Sequence, residues 1–442
     1  RHDNTFQYID NVSWTRGRHN LKFGGEFRTY AQNQRFTFIN NGYIYIDGGV
    51  TAEGIVPQIP GISAALNDFA NGYATFFVQN SKGLQGYRTR AVNLFWQDNW
   101  KVRRTFSLNY GLRWEFNTPI TELNDQAATL RVGQKSTVFP DAPTGLVYPG
   151  DSGITRSTYK RDLNNFAPRV GFAWDVLGTG RMSVRGGYGI FYDIPITELT
   201  LQFLGVPPYG IQPITYYTEY ADPWASSLVN PIPQPFPFNP PKRGGSFDFT
   251  NVAPLGLTIM DPNFATPYSG QWNLQVQYQL GSNWLLDVGY VGSSGVKLLN
   301  RRNINPAVPG PGATTGNTEE RRVLNKNHPE AAKYGGTPFS GITDQLTDAN
   351  SNYHSLQVGV TKRFRGGFSM DHAYTWSHAI DNGSGLRVTA RIDNSRLDRG
   401  NAEFDVRHRY VMSYNYELPW LKDRKGPLGF ALGGWGVSGV TT

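Results

Sequence analysis

The chain contains no cysteine among its 442 residues. That excludes a disulfide framework, a thiolate metal site and a cysteine nucleophile. No apolar run approaches the roughly 18 residues that a transmembrane helix needs. No Gly-x-Ser-x-Gly elbow is present, and no carboxylate pair can be placed at glycosidase spacing. The sequence therefore reads as a non-enzyme, and it implies no cofactor and no metal. The basic residues form no dense block: the net charge of +8 comes from scattered Lys and Arg, which argues against a nucleic-acid partner. No apolar signal segment follows Arg1-His2-Asp3-Asn4, so the sequence-based expectation is a fragment or a processed chain.

Aromatic residues and glycine are abundant: 14% of the chain is Phe, Tyr or Trp, and 50 residues are Gly. Aromatics favour strands and membrane interfaces, and Gly favours turns and bends. Only 39% is apolar. That low value is compatible with a membrane barrel, whose strands are greasy on one face only.

The dominant pattern has a period of two. Between Thr105 and Asn117, the residues Phe106, Leu108, Tyr110, Leu112, Trp114 and Phe116 alternate with polar residues or Gly. Gln271 to Leu280 repeats the pattern with Trp272, Leu274, Val276, Tyr278 and Leu280. Twelve such segments are expected near 4–15, 20–30, 89–100, 105–117, 165–176, 181–193, 269–280, 284–294, 351–364, 368–378, 405–418 and 434–442. Short turns follow the odd segments, apart from a longer join at 419–433. Long connections, 31–88, 118–164, 194–268, 295–350 and 379–404, follow the even ones. An outer-membrane barrel has short periplasmic turns and long extracellular loops. The expected fold class is therefore all-β, an antiparallel meander transmembrane barrel in outer-membrane lipid, with the cell outer membrane as its location.

This mapping puts aromatics of the greasy face at two levels. Trp14, Trp100, Trp174, Trp284, Phe364 and Phe368 lie near the periplasmic turns. Phe6, Trp114, Phe116, Tyr192, Trp272 and Trp376 lie near the outer ends. Two interfacial girdles are the membrane reading, and core aromatics of a soluble sandwich are the alternative. Asp10, Asp98, His354, Lys362, His372 and His408 fall in the greasy register and do not fit it; for Asp98 a register-flipping bulge is one explanation.

The residues also resemble a known family. Asn93-Leu94-Phe95-Trp96-Gln97-Asp98-Asn99-Trp100, followed by Phe106-Ser107-Leu108-Asn109-Tyr110-Gly111-Leu112-Arg113-Trp114-Glu115, resembles a hairpin of TonB-dependent receptor barrels. Ser351 to Val358 with Lys362-Arg363-Phe364, Tyr374 to Asn382, and Glu403 to Tyr410 look like later parts of the same barrels. The Oar-like branch, whose members carry a carboxypeptidase-regulatory-like domain, is the most similar. The resemblance implies import of a large solute (an oligosaccharide, a peptide or a metal chelate) with TonB as partner. It implies a barrel of about 22 strands with a plug, so that 1–442 would be a partial barrel, lacking the signal peptide, TonB box, plug and last strands. The alternatives are a passive porin-like channel and a secreted β-rich adhesin or carbohydrate-binding protein.

Three groups of candidate residues remain. The connection 194–268 is rich in Pro and aromatics, and Tyr209, Tyr216, Tyr217, Tyr220 and Trp224 are candidates to stack on a solute; packing within the loop is the equal alternative. The wet faces carry Arg113, Glu115, Arg169, Asp175, Arg185, Asp193, Asp287, Arg363, Asp371, Arg407, Arg409 and Glu417. In a barrel these face the lumen, where pairing between strands competes with contacts to a plug or solute. Asp393, Asp398, Glu403 and Asp405 are acidic, but interleaved Arg residues favour a solvated loop over a Ca²⁺ site. Gly187-Tyr188-Gly189 lies inside a strand pattern, which favours tight packing over a phosphate loop.

Overall fold

A computed structural model describes residues 2–35, 39–81, 84–194, 199–203, 206–384, 394–420 and 426–442. All twelve expected strands are present. We number them β1 (His2–Arg16), β2 (His19–Arg35), β3 (Leu84–Arg103), β4 (Phe106–Asn117), β5 (Phe166–Asp175) and β6 (Met182–Tyr192). The series continues with β7 (Tyr268–Leu280), β8 (Trp284–Asn303), β9 (Phe339–Arg365), β10 (Phe368–Asp381), β11 (His408–Glu417) and β12 (Gly436–Thr441). They form one sheet in sequential order, with β1 and β12 at its edges. Every neighbouring pair in this series is antiparallel. Strict alternation of chain direction places the five connections that follow β2, β4, β6, β8 and β10 at one end of the sheet. At the other end the turns are tight except for the join between β11 and β12, which carries the short helix Pro427–Leu432: Arg16 pairs with His19, and Gly17 between them takes a φ of 59°, which glycine adopts without a Cβ penalty.

The register aligns the greasy positions across strands. Phe23, Trp96 and Leu112 form one cross-strand row, and Leu274, Tyr290, Leu356 and Trp376 form another. These rows make one continuous apolar face that is open to the surroundings. Among the described residues no helix is long and apolar enough to cross a membrane.

The connections differ from the open loops that the sequence suggests. β8 and β9 run well beyond 284–294 and 351–364, and β9 reaches 27 residues. At about 3.3 Å per residue that is about 90 Å, far more than a membrane needs, so its first half stands outside. Leu255–Met260 pairs with that outer extension in parallel. Tyr43–Tyr45, Tyr73–Val78 and Ile214–Glu219 form a separate three-stranded sheet that joins two connections, with Tyr73–Val78 in the middle.

The buried core sits in this outer layer. Phe139, Tyr148, Phe249, Leu255, Phe339 and Ile342, from two different connections and the β9 extension, form one cluster. Tyr87, Ile120, Tyr159, Phe203, Met260 and Leu299 form a second. Glu330 ties two connections together: its carboxylate accepts from Lys135 Nζ at 2.6 Å and from the Thr144 N–H at 2.7 Å.

Candidate functional site

The polar face carries a network that crosses four strands. The Glu26 carboxylate accepts from Gln7 at 2.7 Å, Asn93 at 3.3 Å and Arg113 at 3.4 Å, and also from Arg28. Arg113 Nε donates to Glu115 at 2.8 Å. On β7 and β8, Asp287 accepts from Gln275 at 2.7 Å and Gln277 at 2.9 Å. Alternation alone puts these side chains on one face, and a hydrated or polar lumen tolerates their charge. Arg169 lies opposite Gly111 and Gly189, with its guanidinium 4.4 Å from the Phe191 ring centroid. Arg185 donates to Ser183 Oγ at 3.2 Å, and Arg409 stands opposite Thr375. Arg407 departs from the sequence reading. The strand begins at His408, one residue later, and the Arg407 guanidinium bridges Asp405 at 2.8 Å and His378 at 2.7 Å.

The apolar face holds the seven tryptophans singled out above. Trp14, Trp174, Trp284 and Trp376 are exposed, whereas Trp100, Trp114 and Trp272 are partly covered. Trp100 stacks on His19 at 5.2 Å, and Trp114 on Phe116 at 6.0 Å. Phe6 and Trp14, Phe106 and Trp114, and Phe368 and Trp376 are each eight residues apart along one strand. Eight residues span about 26 Å. A tilt of about 35–45° reduces this to about 20 Å, and the rings' own reach brings it near the ≈25 Å height of an outer-membrane apolar band. Glycines stand beneath Trp272 and beneath Phe172 on the same face. A Cβ on Gly292 would lie 2.4 Å from the Trp272 indole, and one on Gly186 would lie 2.6 Å from Phe172.

Four of the six polar intruders on this face find side-chain or backbone partners within the sheet. Asp98 stays in register with Leu21 and Tyr110, and the slip in β3 lies between Trp100 and Arg103, so a bulge is not the explanation for Asp98. Its buried carboxylate instead bonds His19 Nδ1 at 2.6 Å and accepts from the Tyr110 hydroxyl at 3.1 Å. His354 meets Tyr290 at 2.7 Å, and His408 meets Tyr374 at 2.9 Å. Lys362 donates to the Phe368 carbonyl at 2.6 Å. Nothing in the structure accounts for Asp10, which faces Gly25 in mid-strand.

The five candidate aromatics of connection 194–268 part company. Trp224 is 2% exposed and packs edge-on against Phe77 at 4.8 Å, so its faces are closed to a solute. Tyr209 packs edge-on against Phe139 at 5.5 Å and belongs to the core. Tyr220 leans on Phe69 at 6.1 Å. Tyr217 sits at a φ of 47°, where pairing with the middle strand is interrupted. Tyr216 alone is exposed, at 42%, and keeps its pairing with Phe76. The structure supplies the partners that sequence reasoning missed. Tyr45 and Phe76 stack at 4.8 Å, Tyr43 lies 6.1 Å from Phe76, and Phe76 lies 6.3 Å from Tyr216. The signal was the Tyr43-Ile44-Tyr45 alternation, hidden inside a stretch treated as a connection. Of the acidic candidates, Asp393 lies outside the described residues. Among the described residues no group of acids and histidines could hold a metal ion. Gly187-Tyr188-Gly189 lies within β6, as the strand pattern suggested.

An antiparallel meander with an exposed apolar face, a charged polar face and long connections at one end defines an outer-membrane barrel wall. The sequence agrees over its whole length: the chain belongs to the outer membrane beta barrel domain family, whose model matches residues 1–442. A search of curated protein sequences found no match. Among solved structures, the chain is similar to the outer membrane transporter YddB from Escherichia coli. The two share 11% identity and a TM-score of 0.47, over 94% of this chain and 40% of that one. It is also similar to the FrpB iron transporter from Neisseria meningitidis, with 10% identity and a TM-score of 0.41, over 95% of this chain and 41% of that one. The ferric-catecholate import receptor Fiu from E. coli gives 12% identity and a TM-score of 0.40, over 95% of this chain and 42% of that one. The chain thus spans about two fifths of the length of these structures.

Proposed function

We propose that the chain is wall and outer layer of a TonB-dependent transporter of the outer membrane that imports a large solute. The observation that carries this reading is the division of labour within one sheet. The apolar face matches lipid, the polar face holds a hydrogen-bonded charge network suited to a lumen, and the outer connections form a packed layer fit to receive a solute. In this reading Trp14, Trp100, Trp174 and Trp284 ring the periplasmic interface, and Trp114, Trp272 and Trp376 ring the outer one. Arg113, Glu115, Arg169, Arg185 and Arg409 face the lumen. Arg407 sits at its outer rim. The hairpin motif around Trp96 to Glu115 supports TonB dependence and the Oar-like branch.

Liposome swelling with the full-length protein tests the transport mode. A plugged transporter leaves vesicles impermeable to arabinose, and its solute uptake in cells stops when TonB is depleted. Rapid swelling together with TonB-independent uptake would support a passive channel instead.

A further inference from the structure

We propose that the three-stranded outer sheet and the cleft beside it bind a neutral oligosaccharide; this deepens the transport reading by naming the solute class. The argument starts from the rings. Tyr43, Tyr45, Phe76 and Tyr216 share one face of the small sheet, because Tyr45 and Tyr216 both pair with Phe76 and Tyr43 lies two residues before Tyr45. Tyr43, Tyr45 and Tyr216 are exposed. An aromatic face is electron-rich and attracts the polarised C–H bonds on one side of a sugar ring. A row of such rings suits consecutive sugar units.

The platform is fixed before any ligand arrives. The Tyr216 N–H donates to Ser227 Oγ at 3.3 Å and to Asn230 Oδ1 at 3.2 Å, and Ser227 Oγ donates to the Tyr216 carbonyl at 2.7 Å. Behind the sheet, Phe77 and Trp224 are buried. Rigidity of this kind lowers the ordering cost of binding.

Tyr216 also borders a cleft of about 650 Å³, within the usual size range of ligand sites. Its polar lining includes Gln212, Asn251, Thr258 and Thr343, which offer amide and hydroxyl groups. Glu319 is the one charged residue among the described lining residues, and Arg322 holds it through two bonds of 2.7 and 2.8 Å. Among the described lining residues there is no cation to attract a phosphate, a carboxylate or the anionic oxygens of a metal chelate, and the nearby Arg322 is already paired with Glu319. Apolar rings beside neutral hydroxyl and amide groups match a sugar, which shows a C–H face and a rim of hydroxyls. Burial, and then the Glu319 carboxylate, push the Tyr216 hydroxyl above its ordinary pKa, so it keeps its proton as a donor.

Calorimetric titration of the full-length protein in detergent tests the assignment. The neutral probes are maltoheptaose, cellohexaose and xylohexaose; hexagalacturonate and an alanine pentapeptide are the charged and peptidic comparisons. At least one neutral sugar is expected to bind. Tyr216→Ala and Tyr45→Ala should each weaken it by about three- to tenfold, the size of one aromatic contact. Tyr216→Phe should retain most of the affinity, and Ile44→Ala, on the opposite face, should not alter it. Near-UV circular dichroism confirms that each variant keeps its outer layer. Silence of all three neutral sugars, binding indifferent to Tyr45 and Tyr216, or binding of the charged or peptidic probe alone would each overturn the proposal. Binding to purified protein needs neither uptake nor TonB, so such a failure leaves the transport reading standing, and loss of transport with binding intact would strike only that reading.

Discussion

Leu112 and Arg113 are adjacent in β4 and point to opposite faces. Leu112 is 43% exposed on the apolar face, whereas Arg113 is held by Glu26 and Glu115 on the polar one. Leu112→Arg in the full-length protein is expected to cost about 2–4 kcal/mol, the penalty for a cation at the bilayer midplane. Arg113→Ala should disturb assembly less, because its partners remain in a polar lumen. Urea titration of both variants in lipid vesicles measures the difference, and the reverse order would refute the face assignment. Two outer-layer carboxylates set opposite pH dependences. Burial favours a neutral Glu330, but Lys135 and Thr144 outweigh it and hold its pKa near 2. Its stabilisation is therefore present above the ordinary value of 4.5 and is lost as pH falls toward about 2. Burial, reinforced by Asp261 and Asp348 and opposed by Arg302, raises Asp344 in the outer half of β9 to about 7. Its contribution is complete below 3.8 and is lost as pH rises through about 7. Asp344→Asn should make the outer layer more resistant to proteolysis at pH 8 and change little at pH 4. Equal resistance of variant and wild type at pH 8 would count against this assignment.

At the scale of elements, strand and turn were readable because period-two alternation and turn chemistry are local. Gln271 to Leu280 shows every side chain's face without reference to any other strand. The outer layer was not readable, because what orders it is non-local. Leu255–Met260 becomes a strand by pairing with β9, and Trp224 is buried by Phe77, which lies in a different connection. Its sequence shows Pro and aromatics either way. Asp98 shows the same limit: its partner His19 lies 79 residues away, so a bulge was the nearest local explanation. Pairs of ring and glycine are a further element-level device, in which a cross-strand Gly makes room for an aromatic lying on the sheet. Gly292→Val should drive Trp272 off β8 and destabilise this hairpin by about 1–3 kcal/mol, as overpacking does. A lowered temperature of heat-modifiable migration on SDS gels checks it. An unchanged transition would mean that the indole has another resting place.

The whole molecule has two parts with different physics. A sheet, stable against lipid on one face and water on the other, carries an outer layer with its own apolar clusters. Of the candidate site, the division of the charged residues and the tryptophans between the two faces of the sheet was legible from alternation. The aromatic face of the small outer sheet was legible only in Tyr216, since Tyr45 and Phe76 join it across 31–88 and 194–268. Burial decides the reporter position: Ser227 is enclosed, with its hydroxyl bonded to Tyr216, whereas Ala225 is exposed. Orientation in the membrane is the central claim, and the absence of cysteine makes it directly measurable. Single cysteines are placed at Ala225, in the outer layer, and at Ser282, in the exposed turn between β7 and β8. An impermeant thiol reagent on intact cells should label Ala225→Cys and spare Ser282→Cys until the outer membrane is permeabilised. Labelling of Ser282→Cys with sparing of Ala225→Cys in intact cells would contradict the account.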